Sequence, residues 1–332
     1  MGLFQRKNNI IGLVIDDEEI KAVEFIYKGN ELKLHAWGRV PLTDKEVKEG
    51  VIVQPDGVSR LLLDLWSKHN FSGREVITGV ANQAVLVRFA EVPKIPANKM
   101  AGFIKFHAKE YLPVALEEVV WDYSIIGENL DDDSSHWQLL LVAARRTMLN
   151  GLIGALETAQ LQPRDIEVLP LSLLHLLKGV EKNQVVAMLD ISSGMNNMVI
   201  ADCGVPRFAR MMSRNLPESY DLVAATAEQG IGANENKDEI RCMVGDIINS
   251  IGYYQSQKAA KRVEKLMLSG KNVLNRNLVS ALEEALNMPV MVVDPWKAID
   301  FSVRDNVDAT GLDTEFSLCI SLALSGLEGI DQ

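Results

Sequence analysis

The sequence predicts a mixed α/β (α+β) protein with two lobes. Two observations lead to this prediction. A meander of three strands near the N-terminus is repeated from Val185 onwards, with small or polar residues in its turns. In addition, 332 residues are more than one hydrophobic core usually supports. An internal duplication is the simplest explanation of the repeated meander.

The first meander contains the apolar strands Asn9–Ile15, Ile20–Tyr27 and Glu31–Val40. The acidic turn Asp16-Asp17-Glu18-Glu19 joins the first two strands and is expected to be exposed to solvent. Apolar residues at helical spacing then predict a helix over Gln54–His69, and Glu75–Ala81 follows as a strand. This order of three strands and a helix opens many ribonuclease-H-like sheets.

The segment 82–165 has an α+β pattern of its own. Strand Val85–Val92 runs into the double-proline turn Pro93–Pro96, and a helix predicted over Ala97–Tyr111 ends before Pro113. The acidic stretch Glu128–Asp133 is expected to be a solvated loop between two strands. The further elements predicted here are the strands Trp121–Ile126 and Trp137–Ala143, the helix Thr147–Thr158 and the strand Asp165–Leu169.

The second meander contains the strands Val185–Asp190, Met198–Ala201 and Pro206–Met211. The rest of the chain is predicted to form helices Lys237–Gln257, Leu278–Leu286 and Glu315–Leu327 and strands Lys265–Leu268 and Pro289–Val293.

Composition and charge exclude several classes of function. A net charge of -11 and a pI near 5.1 disfavour broad attraction to nucleic acid or to an anionic lipid surface, and favour a basic partner segment. The apolar runs are shorter than the roughly 20 residues of a spanning helix, and no signal-peptide pattern is present. Cys203, Cys242 and Cys319 are far apart, and the five histidines lack metal-ligand spacing, so no metal site is predicted. A cytoplasmic protein is expected.

Several short segments together resemble the PilM family of type IV pilus assembly proteins, which belongs to the actin-like ATPase superfamily with the division protein FtsA. These segments are Gly12–Ile15, Ile20–Glu24, Val92–Pro96, Glu110–Pro113, Leu116–Tyr123, Val142–Arg145, Leu189–Ile191, Ile251–Gln257, Leu268–Gly270 and Pro289–Pro295. The resemblance implies an actin-like fold in which an FtsA-type or PilM-type subdomain over 82–165 is inserted into the first lobe. The first lobe would then take 1–81 and 166–184, closed by the C-terminal helix at 315–332, and the second lobe 185–314. The resemblance also implies docking on the cytoplasmic tail of a PilN-like inner-membrane protein, together with other pilus platform proteins, at the inner face of the cytoplasmic membrane.

The resemblance further implies a site for ATP and magnesium between the lobes, where small residues in two hairpins let backbone N–H groups approach the phosphates. In the first hairpin Val14 stands at the family's acidic position and Asp16 at its glycine, followed by Asp17. Carboxylates there would repel a triphosphate by about 1 to 4 kcal/mol for each close pair. The first hairpin therefore departs strongly from the pattern.

The other two parts of the implied nucleotide site also depart from the family pattern. The second hairpin keeps Asp190 and Gly194 but has Ser192 in place of a glycine, and the adenosine-side turn carries Lys271 after Gly270. We therefore predict a degenerate nucleotide site, no confident cofactor and no catalytic residue. An active ATPase of the same fold, and a type II secretion or cell-division component, remain the alternatives.

The partner tail is predicted to bind in a groove between the inserted subdomain and the first lobe. Met100, Phe103, Ile104, His107 and Tyr111 form one stripe at helical spacing, which also fits a simple core against a sheet. The predicted contact residues are Arg88, Val92, Pro93, Phe103 and Tyr111. His107 is expected to be a structural histidine. An extended tail could add hydrogen bonds at the edge of the strand Val85–Val92.

Overall fold

The first meander forms the centre of a six-stranded sheet in the computed structural model, which describes residues 9–28, 31–43, 45–131, 134–212, 233–299, 302–303 and 312–328. The strands of this sheet are β1 Asn9–Ile15, β2 Glu19–Lys28, β3 Glu31–Pro41, β6 Glu75–Val80, β10 Gln162–Val168 and β16 Ser302–Val303, in the order β10-β6-β1-β2-β3-β16. Strands β1, β2 and β3 are antiparallel, whereas β6 and β10 run parallel to β1.

Strand β1 is buried on both faces because successive side chains point to opposite sides of the sheet. Ile10 and Val14 face a core shared with the second lobe, and Ile11 and Leu13 face the core under the first lobe's helices. At Gly12 a side chain would collide with the backbone oxygen of Cys319. The C-terminal helix Ser317–Glu328 therefore crosses directly over this strand.

The second sheet repeats the arrangement of the first. Its strands are β11 Val185–Ile191, β12 Asn196–Asp202, β13 Val205–Met212, β14 Lys265–Gly270 and β15 Val290–Val292, in the order β13-β12-β11-β14-β15. Strands β11, β12 and β13 form the antiparallel meander, and β14 and β15 run parallel to β11. The same order of antiparallel and parallel neighbours in both sheets agrees with the predicted duplication.

The helices of the two lobes pack on both faces of the sheets, and those at Leu169–Ser172 and Ser317–Glu328 lie in the core that the two sheets share. The helices are α1 Pro55–His69, α4 Arg146–Thr158, α5 Leu169–Ser172, α6 Ala233–Gln255, α7 Arg276–Leu286 and α8 Ser317–Glu328, with 3-10 turns at Leu173–Leu176, Gly179–Asn183, Pro295–Ala298 and Thr314–Phe316. A short hairpin, β4 Val47–Lys48 and β5 Val51–Ile52, precedes α1 and was not predicted. Its turn contributes to the site described below.

The inserted subdomain is a three-stranded antiparallel sheet. Its elements are β7 Val85–Pro93, α2 Ala97–Phe106, α3 Ala108–Tyr111, a 3-10 turn Leu116–Glu118, β8 Val119–Asp131 and β9 Ser134–Arg145, with the strand order β7-β9-β8. Val92, Met100, Ile104, Leu139 and Leu141 form its core. The stripe at helical spacing thus packs against the sheet.

Two predicted elements of the insert differ in the structure. The helix predicted over Ala97–Tyr111 is interrupted at His107, which caps α2 and contacts Glu110 over 3.0 Å from Nδ1 to Oε1. The acidic stretch is not a loop as far as Asp131, because β8 continues through it and Glu128 lies opposite Trp137 in the ladder. Lys94 balances the charge of Glu128, with Nζ 2.6 Å from Oε1. Asp132 and Asp133 lie outside the described residues.

The predicted boundaries between lobes and insert also change. Residues 146–165 were assigned to the insert, but α4 packs on α1 and β10 pairs with β6. The reason is that Leu149, Leu152 and Leu156 bury their side chains in the core of the first lobe. Likewise, β16 was assigned to the second lobe but pairs with β3.

No helix within the described residues combines the length and the apolar character that crossing a membrane requires.

Candidate functional site

The turns that follow β1, β11 and β14 meet between the two sheets. This follows from the duplication, because β1 and β11 occupy equivalent places in sheets that share one core. The structure thereby brings together the residues predicted for the nucleotide site. They are Asp16, Asp17, Asp190, Ser192, Gly194, Gly270 and Lys271.

The carboxylate of Asp16 lies against the second lobe's hairpin. Its Oδ2 accepts a hydrogen bond from the backbone N–H of Ser193 at 3.0 Å, and its Oδ1 accepts one from that of Gly194 at 3.1 Å. The N–H of Asp17 donates a third bond to Oδ1 at 2.8 Å. Only 8% of Asp16 is exposed, and this burial raises its pKa, against the opposing effects of Lys21 and these N–H donors.

The carboxylate of Asp17 binds a second pair of backbone N–H groups. Its Oδ2 accepts from Glu49 at 2.9 Å and its Oδ1 from Gly50 at 2.7 Å. Glu49 and Gly50 have φ angles of 51° and 70°, so this turn between β4 and β5 presents consecutive N–H groups to one anion. At Gly194 a side chain would collide with the Asp17 carboxyl group. Glycine at 194 therefore allows the acidic turn to approach.

Lysines balance the remaining acidic side chains of the turn. Lys271 Nζ lies 2.6 Å from Oε2 of Glu18 and 3.6 Å from Oε1 of Glu19. Lys21, which is 4% exposed, lies 3.2 Å from the same Glu19 oxygen. Burial alone would raise the pKa of Glu19, but Lys21, Lys271 and Arg39 together hold it below its usual value.

Asp190 sits beneath the second hairpin and is fully enclosed. Its two carboxylate oxygens accept hydrogen bonds from the hydroxyls of Ser192, at 2.6 Å, and Ser269, at 2.7 Å. Burial raises its pKa, against the opposing effects of these hydroxyls and of Lys21. Both of its oxygens are engaged by neighbouring protein groups, so Asp190 here organises the hairpin.

The turn after β14 is fixed by its backbone. Gly270 has a φ of 94°, and a side chain there would collide with the carbonyl oxygen of Ile191. The N–H of Lys271 donates to this same oxygen at 2.8 Å. Thr314 adds a hydrogen bond from its hydroxyl to the carbonyl of Gly270 at 3.1 Å. Hydrogen bonds thus connect this turn to the second hairpin and to the 3-10 turn Thr314–Phe316, which precedes α8.

The expectation that the acidic turn is exposed to solvent was wrong. Asp16 and Glu19 are buried, and Asp17 is held by the β4–β5 turn. The physical reason is that backbone N–H groups from distant segments, together with Lys21 and Lys271, bind the carboxylates and offset the free-energy cost of burying them. Several residues that take part were not among the predicted site residues. For one of them, Gly50, the sequence offered a usable signal, since glycine at a turn tolerates a positive φ. The others include Lys21, Glu49, Ser193, Ser269 and Thr314.

A small cavity lies next to Asp16 between the two hairpins. Its volume is about 20 Å³, and Asp16, Gly50, Gly79, Ser192 and Asn197 are among the residues that line it. A water molecule needs at least roughly 10 to 15 Å³ of such space. The cavity therefore has room for about one water and none for a triphosphate in this conformation.

The residues predicted to contact a partner lie on or near one face of the inserted sheet. Arg88 is exposed and pairs with Leu141, which places it on the face covered by α2. Pro93 is exposed, whereas Phe103 and Tyr111 are half-buried around the insert's core. Val92 is completely buried in that core, so it cannot contact a partner directly.

A larger cavity of about 550 Å³ adjoins the opposite side of the insert. Phe89, Glu91 and Gln138 line it from the insert, and Arg207 and Tyr254 line it from the second lobe. Arg207 Nη1 donates a hydrogen bond to Oε1 of Gln138 across its floor. This cavity beside β7 is therefore formed with the second lobe, and not with the first lobe as the predicted groove would be.

Comparisons with known proteins identify related sequences and structures. A family model described as type IV pilus assembly protein PilM matches residues 12–215. The structure of a PilM-PilN type IV pilus biogenesis complex is similar to this chain, with 26% identity and a TM-score of 0.79 over 96% of this chain and 98% of that one.

Two further structures share the fold at 10% identity. The ethanolamine utilization protein EutJ from Carboxydothermus hydrogenoformans has a TM-score of 0.52 over 95% of this chain and 89% of that one. MreB 5 of Spiroplasma citri, bound to AMPPNP, has a TM-score of 0.51 over 98% and 99%. Together with the PilM-PilN structure, they confirm the predicted actin-like fold.

Proposed function

Since the chain belongs to the PilM family of type IV pilus assembly proteins, we propose that within pilus biogenesis it acts as a non-catalytic adaptor for the cytoplasmic tail of a PilN-like inner-membrane protein. The observation that carries this proposal is the similarity to a PilM-PilN complex along nearly the whole chain. In this role the protein is cytoplasmic and is recruited to the inner face of the cytoplasmic membrane by its partner, beside other platform proteins.

The proposed docking surface is the part of the insert around β7. Strand β7 pairs with β9 on one side and, within the described residues, with no strand on the other. An extended tail can add main-chain hydrogen bonds to such an edge. Arg88 is exposed on it, and Phe106, which is 85% exposed, offers an apolar contact at the end of α2. Phe103 and Tyr111 are half-buried against the insert's core.

Charge favours the encounter with such a tail. The cytoplasmic segments of inner-membrane proteins carry an excess of Lys and Arg. The net charge of -11 on this chain attracts a basic segment at long range and raises its association rate more than its final affinity. Specificity then depends on the side chains around β7.

The adaptor role does not require nucleotide. Three features of the interlobe cleft support this part of the proposal. Carboxylates stand where the family's hairpin carries a glycine and small residues, the backbone N–H groups of Ser193 and Gly194 are already bonded to Asp16, and the adjacent cavity holds about one water. A degenerate nucleotide site accounts for all three.

Arg88→Glu is expected to weaken binding of a synthetic PilN-like tail peptide by about tenfold, which corresponds to about 1.4 kcal/mol. The reason is that the substitution removes a guanidinium placed to donate hydrogen bonds to main-chain carbonyls of a tail lying along this edge, a loss that exceeds the added attraction of a carboxylate for the tail's basic residues. The measurement is isothermal titration calorimetry with nucleotide-free protein, after circular dichroism has shown that the variant is folded.

Lys182→Glu is the matched control, since Lys182 is exposed on the 3-10 turn Gly179–Asn183, outside the proposed surface. It should bind the peptide like the unaltered chain. Equal affinity of the folded Arg88→Glu variant, together with hydrogen-exchange protection confined to the second lobe, would contradict the proposed surface. It would point to the 550 Å³ cavity instead.

A further inference from the structure

Two backbone N–H groups of the second lobe bind a carboxylate from the first lobe. The backbone N–H groups of Ser193 and Gly194 both point at one carboxylate, that of Asp16, which is 177 and 178 residues away in sequence. Two adjacent N–H groups in a turn form a cradle that binds carboxylate or phosphate oxygens. Ser193 is 3% exposed, so water does not compete freely for its N–H.

Asp16 is positioned for this contact by its neighbours. The Asp17 carboxylate anchors the acidic turn to Glu49 and Gly50, within the first lobe. Glu18 connects the same turn to Lys271 of the second lobe, at 2.6 Å. Three consecutive carboxylates therefore reach three different segments, and two of them cross from one lobe to the other.

The small volume left beside Asp16 agrees with a site that the Asp16 carboxylate already occupies. The 20 Å³ cavity there is lined by Asn197, whose Oδ1 atom is buried without a protein hydrogen-bond partner. Asn197 itself is 1% exposed. A single water can satisfy this oxygen, but a phosphate group cannot enter unless the Asp16 side chain moves away.

We propose that Asp16 is a built-in ligand whose carboxylate occupies an oxyanion site in the second lobe, so that the chain joins its own lobes without a bound phosphate compound. Removing the carboxylate leaves the Ser193 and Gly194 N–H groups without an acceptor and exposes a site for a small oxyanion such as inorganic phosphate. This role of Asp16 rests on the proposed function only in that both require a nucleotide-free cleft.

Hydrogen exchange measures the contact directly, by mass spectrometry of peptides that cover 189–197 and 47–52. In a folded Asp16→Ala variant, the Ser193 and Gly194 amides should exchange at least about tenfold faster than in the unaltered chain. Millimolar inorganic phosphate should restore part of the protection in the variant and have no effect on the unaltered chain.

Asp17→Ala is the matched control, because it should release the Glu49 and Gly50 amides and leave those of Ser193 and Gly194 protected. If Asp16→Ala does not fold, Asp16→Asn, which keeps one acceptor oxygen, should give intermediate exchange. Unchanged exchange of Ser193 and Gly194 in a folded variant would overturn the proposal. Faster exchange that phosphate does not slow would overturn its oxyanion part. Binding of the partner tail is measured separately. The adaptor role can therefore fail while the role of Asp16 holds, and the role of Asp16 can fail while the adaptor role holds.

Discussion

Replacing Lys21 by methionine is expected to lower the free energy of unfolding by about 3 to 5 kcal/mol near neutral pH. Lys21 is buried next to Glu19. Burial acts to lower its pKa, but the negative charges of Glu19, Asp16 and Asp190 raise it above its usual value. Methionine has a similar length but no charge. The substitution leaves a group of buried carboxylates without their main counter-charge, which is a much larger loss than that of an ion pair on the surface.

The effect of Lys21→Met should depend on pH in a defined direction. Without Lys21, the folded-state pKa values of Asp16 and Asp190, which desolvation already raises, rise further, and that of Glu19, which Lys21 helps to hold below its usual value, rises as well. A group whose pKa is raised on folding contributes stability below its unfolded pKa and loses that contribution as the pH rises. The deficit of the variant should therefore be small near pH 4 and grow towards pH 8.

Urea denaturation at several pH values checks this prediction, with a constant m-value as evidence for two-state unfolding. Lys33→Met is a suitable control, because Lys33 pairs at 3.0 Å with Glu31, which is 56% exposed at its side chain. It should cost less than about 1 kcal/mol. A loss below 1 kcal/mol for Lys21→Met, or a deficit that shrinks as the pH rises, would contradict the charge balance described for the cleft.

Glu24→Ala is expected to cost about 3 to 5 kcal/mol of stability, through a different mechanism. Glu24 lies on β2 and is completely buried, and its carboxylate ties the segment after α1 to the sheet. It accepts hydrogen bonds from the Ser72 N–H at 2.8 Å, the Ser72 hydroxyl at 2.6 Å and the Gly73 N–H at 2.9 Å. Asn9 adds a fourth donor at 3.2 Å. Alanine leaves all four without this acceptor.

Thermal and urea unfolding of Glu24→Ala, compared with Glu31→Ala, measure this loss. Glu31 is partly exposed and pairs with Lys33 at the surface, so its removal should change stability by less than about 1 kcal/mol. Glu24→Gln should fall between the two, because its amide keeps one acceptor oxygen. Equal stability of Glu24→Ala and Glu31→Ala would show that the Ser72–Gly73 segment is held by other contacts.

Local sequence signals were sufficient to predict most of the strands and the duplication, although not the β4–β5 hairpin. The bounds of β1 agree with the prediction at both residues, because a run of apolar residues ends there at an acidic turn. The similarity of the two meanders then predicted two sheets with the same topology, and the observed strand orders agree with this. These features depend on residues close together in the chain.

The structure of the cleft could not be predicted in the same way. In isolation, Asp16 and Asp17 are typical of an exposed turn, because most of the groups that bind their carboxylates are far away in sequence. Their partners are the backbone N–H groups of Ser193, Gly194 and Gly50, which carry no side-chain signal. Only the fold brings these groups together.

The choice of partner residues shows a related limit. Alternation along β7 indicates which side chains share a face, but not which of them a helix covers. Val92 and Arg88 lie on the same face, yet α2 buries the first and leaves the second exposed. The contact of His107 with Glu110 was likewise invisible in sequence, although its structural role was expected.

In the proposed adaptor, a cleft closed by the chain's own carboxylates would hold the two lobes together. In an actin-like protein that binds nucleotide between its lobes, the ligand can bias the relative position of the lobes. Here the contacts of Asp16 and Glu18 join the two lobes without a ligand. The docking surface around β7 would then be available without an energy-consuming step.

Titration of the unaltered chain with ATP and magnesium tests the central claim most directly. Calorimetry should detect no saturable binding up to about 1 mM nucleotide, where the binding free energy would be only about 4 kcal/mol. A dissociation constant in the micromolar range, worth about 8 kcal/mol, would contradict the account. It would show that the acidic turn yields its place to a phosphate, and it would restore an ATPase as the function of this cleft.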